Sequence, residues 1–527
     1  MSYKVFIPTA GTGSRLGGIT KYINKSLVSI GNVPTITRII EMFPKGTKFV
    51  IGVGYKGELV KEYLSLAHPD VEIKIFDVYP YEGEGSGLGL TMLTCKEALQ
   101  EPFIFCSCDT LVAEEIPAPA FNWMAYDDRD NKSNYRTISI DVNGNVWQIN
   151  EKGVNLQSFP EPYIGLCGIY NYKEFWDAME SNRVQAINEG EAMGVRQLVP
   201  MGIKGIKFTW FDTGITVELE ATQKRYQQPD APNILPKPDE SIWLLRDKVI
   251  KFSDSEIFIE NRVKRAAILK GFVPQITGYT KHMYAYNYVN GNVMSKCASV
   301  PLFTQLLDFS KKFWVEKILT MQEKEEFFAA CMKFYRDKTL QRIDLFYSTF
   351  GRTDNALKIN DLEYPKLADM LALIDWKYVA NGLPGQFHGD FHFENILYDK
   401  EKNEFCFLDW RQNFGKSLEL GDIYYDFAKM LHGLIVCHDL IAKDLFFAQW
   451  EGDTITYDFE RKNILIECEN AYYQWLAQNG YDVDKTKLLT ALIYLNICGL
   501  HEFPYSIMLY ALGKELLYKY LKQQNLL

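Results

Sequence analysis

Four prolines fall within Gln227–Glu240 (QQPDAPNILPKPDE), a stretch with no apolar periodicity. Proline locks φ and removes a backbone donor, so neither a helix nor an interior strand runs through such a segment. At 527 residues the chain is also too long for one ordinary core. It is therefore predicted to divide into residues 1–228, a linker at 229–239, and residues 240–527.

Before the prolines, apolar strands alternate with helical patterns. Lys4–Pro8, Lys48–Gly54, Val71–Val78 and Phe103–Cys108 read as strands, and Val33–Met42, Glu58–His68 and Leu88–Leu99 as helices. Such alternation predicts an α/β fold with a doubly wound, mostly parallel sheet. Asn143-Gly144, between Thr137–Val142 and Val146–Asn150, signals a later hairpin. After the prolines, residues 240–290 are strand-rich, and helical patterns then run to the C-terminus.

The composition excludes several classes of function. A net charge of −10 argues against a nucleic-acid surface. Ten cysteines without C-x-x-C spacing suit free thiols in a reducing cytoplasm rather than a disulfide or zinc framework. A strand begins at once, so no signal peptide is expected. The longest apolar runs, Leu488–Leu500 and Met430–Ile441, are too short or too interrupted to insert in a bilayer. The chain is expected to be cytoplasmic and to bind nucleotides and small molecules; self-association is left open.

The stretch His388-Gly389-Asp390-Phe391-His392-Phe393-Glu394-Asn395, followed by Phe407-Leu408-Asp409-Trp410, carries the chemistry of the second half. Phosphoryl transfer from ATP needs a carboxylate to orient and accept the proton of the attacking hydroxyl. It also needs an amide oxygen and a second carboxylate to hold Mg²⁺ over the phosphates. Asp390, Asn395 and Asp409 meet those needs in the order and spacing of the kinase signature, with Gly389 where protein kinases carry Arg. Strands Ile396–Tyr398 and Phe405–Leu408 are expected between the loop and Asp409. A strand-rich region before a large helical one fits a bilobal, protein-kinase-like (α+β) layout, with the small lobe at about 240–290 and the helical lobe at about 291–527.

From Ser241 onward the chain resembles the aminoglycoside phosphotransferase and choline kinase family, most specifically in HGDFHFENILYD and in FLDW…GDIYYDFAKML. The resemblance implies Asp390 as catalytic base and Asn395 and Asp409 as Mg²⁺ ligands. It implies Lys251 as the lysine gripping the ATP phosphates, Glu260 as its orienting partner, and Tyr288 within an adenine-packing hinge. Asp422 and Asp426 match acidic positions expected to tie down the catalytic loop. No glycine-rich loop precedes Lys251; the turn there is Leu245-Arg246-Asp247-Lys248.

In the first half, strand Lys4–Pro8 runs into Thr9-Ala10-Gly11-Thr12-Gly13-Ser14-Arg15-Leu16-Gly17. Glycines after a strand let backbone N–H groups approach phosphates, and Arg15 adds a fixed cation. Leu16 stands where a dinucleotide-binding loop needs Gly, and a Gly-Lys-Ser/Thr phosphate loop is absent. G-x-G-x-R-L with a lysine ten residues on resembles the sugar-phosphate nucleotidyltransferases, phosphocholine cytidylyltransferases included, over about residues 3–225. That resemblance implies nucleotide binding by Ala10, Gly11, Gly13, Arg15, Gly85, Ser86 and Gly87. It implies Lys25 as a catalytic lysine, Asp109 and Asp212 as Mg²⁺ ligands, and Lys152, in Glu151-Lys152, as a contact for the substrate phosphate.

Together the halves point to a bifunctional enzyme. The C-terminal domain would phosphorylate a small hydroxyl compound with ATP, a sugar or polyol being favoured. The N-terminal domain would transfer NMP from an NTP, CTP favoured, to that phosphate and release pyrophosphate. Mg²⁺ is expected at both sites, and the product is expected to feed surface polysaccharide such as capsule. Two alternatives stay open: a choline or ethanolamine kinase fused to a CTP:phosphocholine-type cytidylyltransferase, and a chain in which one half is a non-catalytic binding module.

Overall fold

The computed structural model of the chain describes residues 3–129, 132, 134–151, 160–227 and 237–527. The chain folds into two compact units: one takes the chain up to Ile259 together with Thr277–Tyr288, the other takes Glu260–Ile276 and Val289–Leu527.

The first unit is built on a mixed sheet. Its main path runs Val146–Asn150, Thr137–Ile140, Glu161–Ile169, Phe103–Cys106, Lys4–Thr9, Lys48–Val53 and Ile73–Asp77. The last four strands are mutually parallel, with Lys4 opposite both Lys48 and Phe103. Strand Glu161–Ile169 joins antiparallel to Phe103–Cys106. The central strand is buried on both faces. Val5 and Ile7 point into one core with Ile51 and Ile104, whereas Phe6 points into the other with Val50 and Phe105. This period-two split explains the unbroken apolar run KVFIP, since each face of a parallel sheet is covered. The chain leaves the central strand toward Lys48–Val53 on one side and Phe103–Cys106 on the other. That reversal opens a crevice at the strands' carboxyl ends.

A second sheet in this unit orders as Glu240–Leu244, Lys248–Ser253, Met283–Asn287 and Ile276–Tyr279. It packs on the helix Gly57–Ala67. Trp243, fully buried, meets Tyr63 edge-on at 5.0 Å, and the Leu244 N–H donates to Asn32 O at 2.8 Å. Lys248 Nζ donates to Leu66 O at 2.6 Å, and Glu62 accepts from Thr280 Oγ1 at 2.6 Å and the His282 N–H at 3.0 Å. Packing therefore divides the chain after Ile259, whereas the prolines suggested a division at 229–239. The apolar faces of these short strands close against the N-terminal core, a long-range choice that local composition does not encode.

The second unit is mainly helical, with long helices at Ile423–Ile435, Asn463–Gln478, Val483–Ile497 and Tyr505–Gln523. The hairpin Ile396–Asp399/Glu404–Phe407 leads from the His388–Asn395 loop into Asp409, within a residue of expectation at each end. A further hairpin, Phe446–Glu451 with Thr454–Phe459, falls where only helical patterns were expected. Its strands alternate buried and exposed residues around Gly452-Asp453, so the period-two signal was present in the sequence. Among the described residues, no helix is long and apolar enough to cross a membrane.

Candidate functional sites

Three parallel strands of the first unit end together, at Ala10-Gly11, Gly54-Tyr55 and Ser107-Cys108-Asp109. Asn24 ties two of these ends. Its Nδ2 donates to Thr9 O at 3.0 Å and Tyr55 O at 2.7 Å, while its Oδ1 accepts from the Ser26 N–H at 2.9 Å. The next residue, Lys25, is thereby aimed at the end of the third strand, where Nζ pairs with Asp109 Oδ2. Ser107 Oγ donates to Asp109 Oδ1 at 2.5 Å, and the exposed Arg15 guanidinium stands 3.9 Å from Oδ2. Gly13 holds φ at +68°, and a Cβ there would lie 3.1 Å from Lys25 Cβ, so the turn leaves the lysine stem just enough room.

Asp212 arrives on the strand Trp210–Asp212, antiparallel to Thr110–Val112 with Asp212 opposite Thr110. The Thr213 N–H donates to Asp109 O at 3.0 Å, which locks the two aspartates' chains together. Asp212 accepts from the Gly214 N–H at 2.7 Å and the Tyr135 hydroxyl at 2.9 Å. A Cβ on Gly214 would sit 2.8 Å from Asp109 Oδ2 and 2.9 Å from Asp212 Oδ1, so both carboxylates look onto one small space. Burial alone would raise Asp109, but Lys25 outweighs it and brings the carboxyl down to about 2. Asp212 is pushed upward, by burial first and by the Asp109 charge next. Two crowded carboxylates are a donor set that fits Mg²⁺, an ion that takes the rest of its shell from waters and substrate phosphates.

The Gly85-Ser86-Gly87 segment precedes the helix Leu88–Cys95, with φ +80° at Gly85 and Ser86 Oγ donating to Gly83 O at 2.6 Å. A Cβ on Gly87 would meet Ile187 O at 2.3 Å, and one on Gly89 would meet Ala186 O at 1.8 Å. These glycines therefore also let two helices pack backbone to backbone. Glu151 pairs with Arg136 at 3.2 Å and with Arg196, and Lys152 lies outside the described residues.

In the second unit the loop His388–Asn395 is clamped from beneath. The buried Asp426 carboxylate accepts from the N–H groups of His388 and Gly389, each at 2.6 Å, and from the Trp314 indole at 3.1 Å. Burial pushes Asp426 up to about 6 against those hydrogen bonds. Asp422 accepts from the Tyr335 hydroxyl at 2.7 Å and from the N–H groups of Leu383 at 2.8 Å and Tyr424 at 3.0 Å. Asp426 thus holds the backbone at His388 and Gly389, whereas Asp422 holds Leu383 and Tyr424, outside the His388–Asn395 loop.

Above this clamp stands Asp390. Asn395 Nδ2 donates to its Oδ2 and to its backbone O, both at 3.0 Å. That donation leaves Asn395 Oδ1 as the face able to meet a cation. The Leu408 N–H donates to Asn395 O at 2.7 Å and so brings Asp409 beside Asn395; Asp409 adopts φ +59°. Asp409 Oδ1 is 3.6 Å from Arg262. An amide oxygen and a carboxylate on adjoining chain segments fit a Mg²⁺ held mainly by phosphates and water. Sequence reasoning missed Lys429. On the helix Ile423–Ile435, one turn beyond Asp426, it places Nζ 2.8 Å from Asp390 Oδ1. Burial opposes the charge on Asp390, yet Lys429 and His392 hold the carboxyl well below the usual range. Its signal was the i, i+3 spacing from Asp426, which puts both residues on one helix face.

Lys251 lies buried on the strand Lys248–Ser253, opposite Tyr284 and Ile242. Leu245 and Lys248 close a tight turn, with the Leu245 N–H donating to Lys248 O at 2.8 Å in place of a glycine-rich loop. Tyr288 is exposed, its N–H bonded to Asp247 O at 2.9 Å. Glu260 pairs with Lys264, one turn on, at 2.5 Å.

Residues 335–458 match the model of the phosphotransferase enzyme family, APH. The N-terminal region is similar to the bifunctional protein GlmU of Methanococcus aeolicus, 25% identical over 215 residues that cover 39% of this chain and 50% of that protein. The GlmU of Methanococcus maripaludis is 27% identical over 146 residues, 27% of this chain and 34% of that protein. The chain thus spans about half the length, or less, of the curated relatives it matches. Among solved structures, the CTP:phosphocholine cytidylyltransferase from Streptococcus pneumoniae aligns with a TM-score of 0.37 and 16% identity. The alignment covers 43% of this chain and 100% of that one.

Proposed function

We propose that the chain is a bifunctional enzyme that phosphorylates a small hydroxyl compound and then couples the new phosphate to a nucleotide. One observation carries this reading: each unit holds its own lysine–aspartate pair, Lys25–Asp109 and Lys429–Asp390, with the lysine largely buried, at a loop suited to phosphate chemistry. In the first step the acceptor hydroxyl attacks the γ-phosphorus of ATP. The bond to the β-phosphate oxygen breaks, ADP leaves, and Asp390 takes the hydroxyl proton. Lys429 and Asn395 fix the Asp390 carboxylate in an ionised, oriented state. In the second step the acceptor's phosphate oxygen attacks the α-phosphorus of an NTP and pyrophosphate leaves. Lys25 neutralises charge developing on the α-phosphate, and the Gly11–Gly13 turn offers backbone N–H groups to the triphosphate. Mg²⁺, when bound at Asp109/Asp212 and at Asn395/Asp409, supplies charge neutralisation.

The favoured acceptors are sugars and polyols, and the nucleotide-activated product is suited to surface polysaccharide assembly. The test uses the full chain. Asp390→Ala should abolish ATP-dependent acceptor phosphorylation, and Lys25→Ala or Asp109→Ala should abolish pyrophosphate release from NTP and phosphorylated acceptor. A phosphorylation rate unchanged in Asp390→Ala overturns the first activity, and persistent pyrophosphate release overturns the second.

A further inference from the structure

The side chains around Asp390 are cationic to a degree that the transfer reaction does not require. Arg411 follows Asp409 by two residues, and its N–H donates to His388 O at 2.8 Å. Its stem lies against Gly389, where a Cβ would come within 2.5 Å of Arg411 Cβ. The Arg411 guanidinium stands 5.0 Å from the centre of the Phe334 ring, and Lys338 Nζ stands 4.7 Å from the same ring. Arg342 follows Lys338 by one turn of the helix Lys338–Phe350. A π-helical turn, Lys333–Asp337, immediately precedes it and carries Phe334; such turns recur at functional sites. The same ring meets Tyr425 at 4.8 Å, and Tyr425 shares a helix with Lys429.

Among the described residues, no carboxylate forms an ion pair with Lys338, Arg342 or Arg411, and the Arg411 side chain donates only to Asn413 O at 3.0 Å. Lys429 is committed to Asp390. The Asp422 and Asp426 carboxylates are committed to backbone and aromatic donors. Burial, and next the charges of Arg411, Arg342 and Lys429, bring the Lys338 ammonium down to about 7. Such a group of half-buried cations repels itself until an anion arrives. The Phe334 ring among these groups is already met by two cations, Lys338 and Arg411.

Resting on the kinase reading above, we propose that the acceptor carries an anionic group, a carboxylate or phosphate, which Lys338, Arg342 and Arg411 bind while Asp390 faces its hydroxyl. The substrate class then narrows, within the sugars and polyols, to members that bear an acid group, such as an aldonic acid or a polyol phosphate, and excludes an amino alcohol. Arg411 supplies a planar fork for two anion oxygens, and Lys338 and Arg342 supply charge from the neighbouring helix.

The test compares paired acceptors on the full chain with ATP: glycerate against glycerol, gluconate against glucose, and glycerol 3-phosphate against choline. An anionic member should be used with at least about tenfold higher kcat/KM than its counterpart. Lys338→Met and Arg342→Gln should each raise KM for that acceptor about tenfold with kcat nearly unchanged, and Lys338→Arg should restore it. Equal or better use of the neutral or cationic members overturns the proposal. A binding arm separates this proposal from the kinase reading. Calorimetric titration of Asp390→Asn protein with inorganic phosphate should show saturable binding that is lost on adding Lys338→Met and Arg342→Gln together. If that binding is present but no acceptor is phosphorylated, the anion site stands and the kinase reading falls. If binding is absent or survives the double change, the anion site falls.

Discussion

Replacing Lys25 with Met removes the cation that sets the state of Asp109, and its effect follows from the surroundings of that pair. Both side chains are largely buried, at 11% and 16% exposure. Holding Asp109 at about 2 rather than at the ordinary 3.8 corresponds to ~2.5 kcal/mol of folding free energy at neutral pH. Breaking a buried pair by removing one partner typically costs about 3–5 kcal/mol, so ~3 kcal/mol is expected. The pH dependence also changes. In the parent protein the depressed carboxyl contributes stability that is present above pH 3.8 and lost as pH falls toward 2. In Lys25→Met the largest lowering influence is gone and only Ser107 and Arg15 oppose burial, so the Asp109 carboxyl moves upward. The stability gained above pH 3.8 then shrinks, so the deficit opens as pH rises from 2 through 4 and persists at 7. Urea unfolding of the full chain, read by hydrogen exchange at Phe103–Cys106, measures this. Adding Asp109→Asn should recover most of the loss, with a coupling of ~2–3 kcal/mol. A deficit below ~1 kcal/mol, the scale of an exposed pair, would refute the reasoning.

Further outcomes follow from other contacts. Lys429→Met should lower kcat for acceptor phosphorylation roughly 10–100-fold with KM for ATP nearly unchanged, as steady-state kinetics would record. Asp426 is raised to about 6, so its contribution to stability is present below 3.8 and lost as pH rises through 6. Asn does not titrate, so the stability of the parent relative to Asp426→Asn should decline by up to ~3 kcal/mol between pH 4 and 7 in urea titrations. Gly89→Ala would drive a methyl to 1.8 Å from Ala186 O and force two helices apart; a loss of ~2–3 kcal/mol is expected in thermal or urea unfolding.

Much of this protein was legible in its sequence because the signals are local. Strand–helix alternation revealed the parallel part of the first sheet, whose four parallel strands all appear near their expected positions. The order Asp390, Asn395, Asp409 is set by a loop and one hairpin, so its spacing survives folding unchanged. The hairpin at Phe446–Phe459 carries its own period-two alternation, a short signal among longer helical patterns. Of the two acidic positions expected to tie down the loop, Asp426 binds its backbone, whereas Asp422 binds Leu383 and Tyr424 instead.

What tertiary structure alone decided is which charges face one another. Lys25 and Asp109 are 84 residues apart, and their pairing depends on Asn24 joining two strand ends beside a third. Lys429 reaches Asp390 because Asp426, one turn earlier on the same helix, is fixed to the loop's backbone. Trp243 and its sheet joined the N-terminal core although a run of prolines stands between them in the chain. Lys338 and Arg411 share Phe334 from opposite sides of the catalytic loop in sequence. Local patterns determine which elements form and which loops can carry phosphate chemistry, because backbone propensity and spacing act over a few residues. The partners of a buried charge are chosen by packing across the whole unit, where desolvation makes an unpaired ion costly and a distant counter-charge decisive.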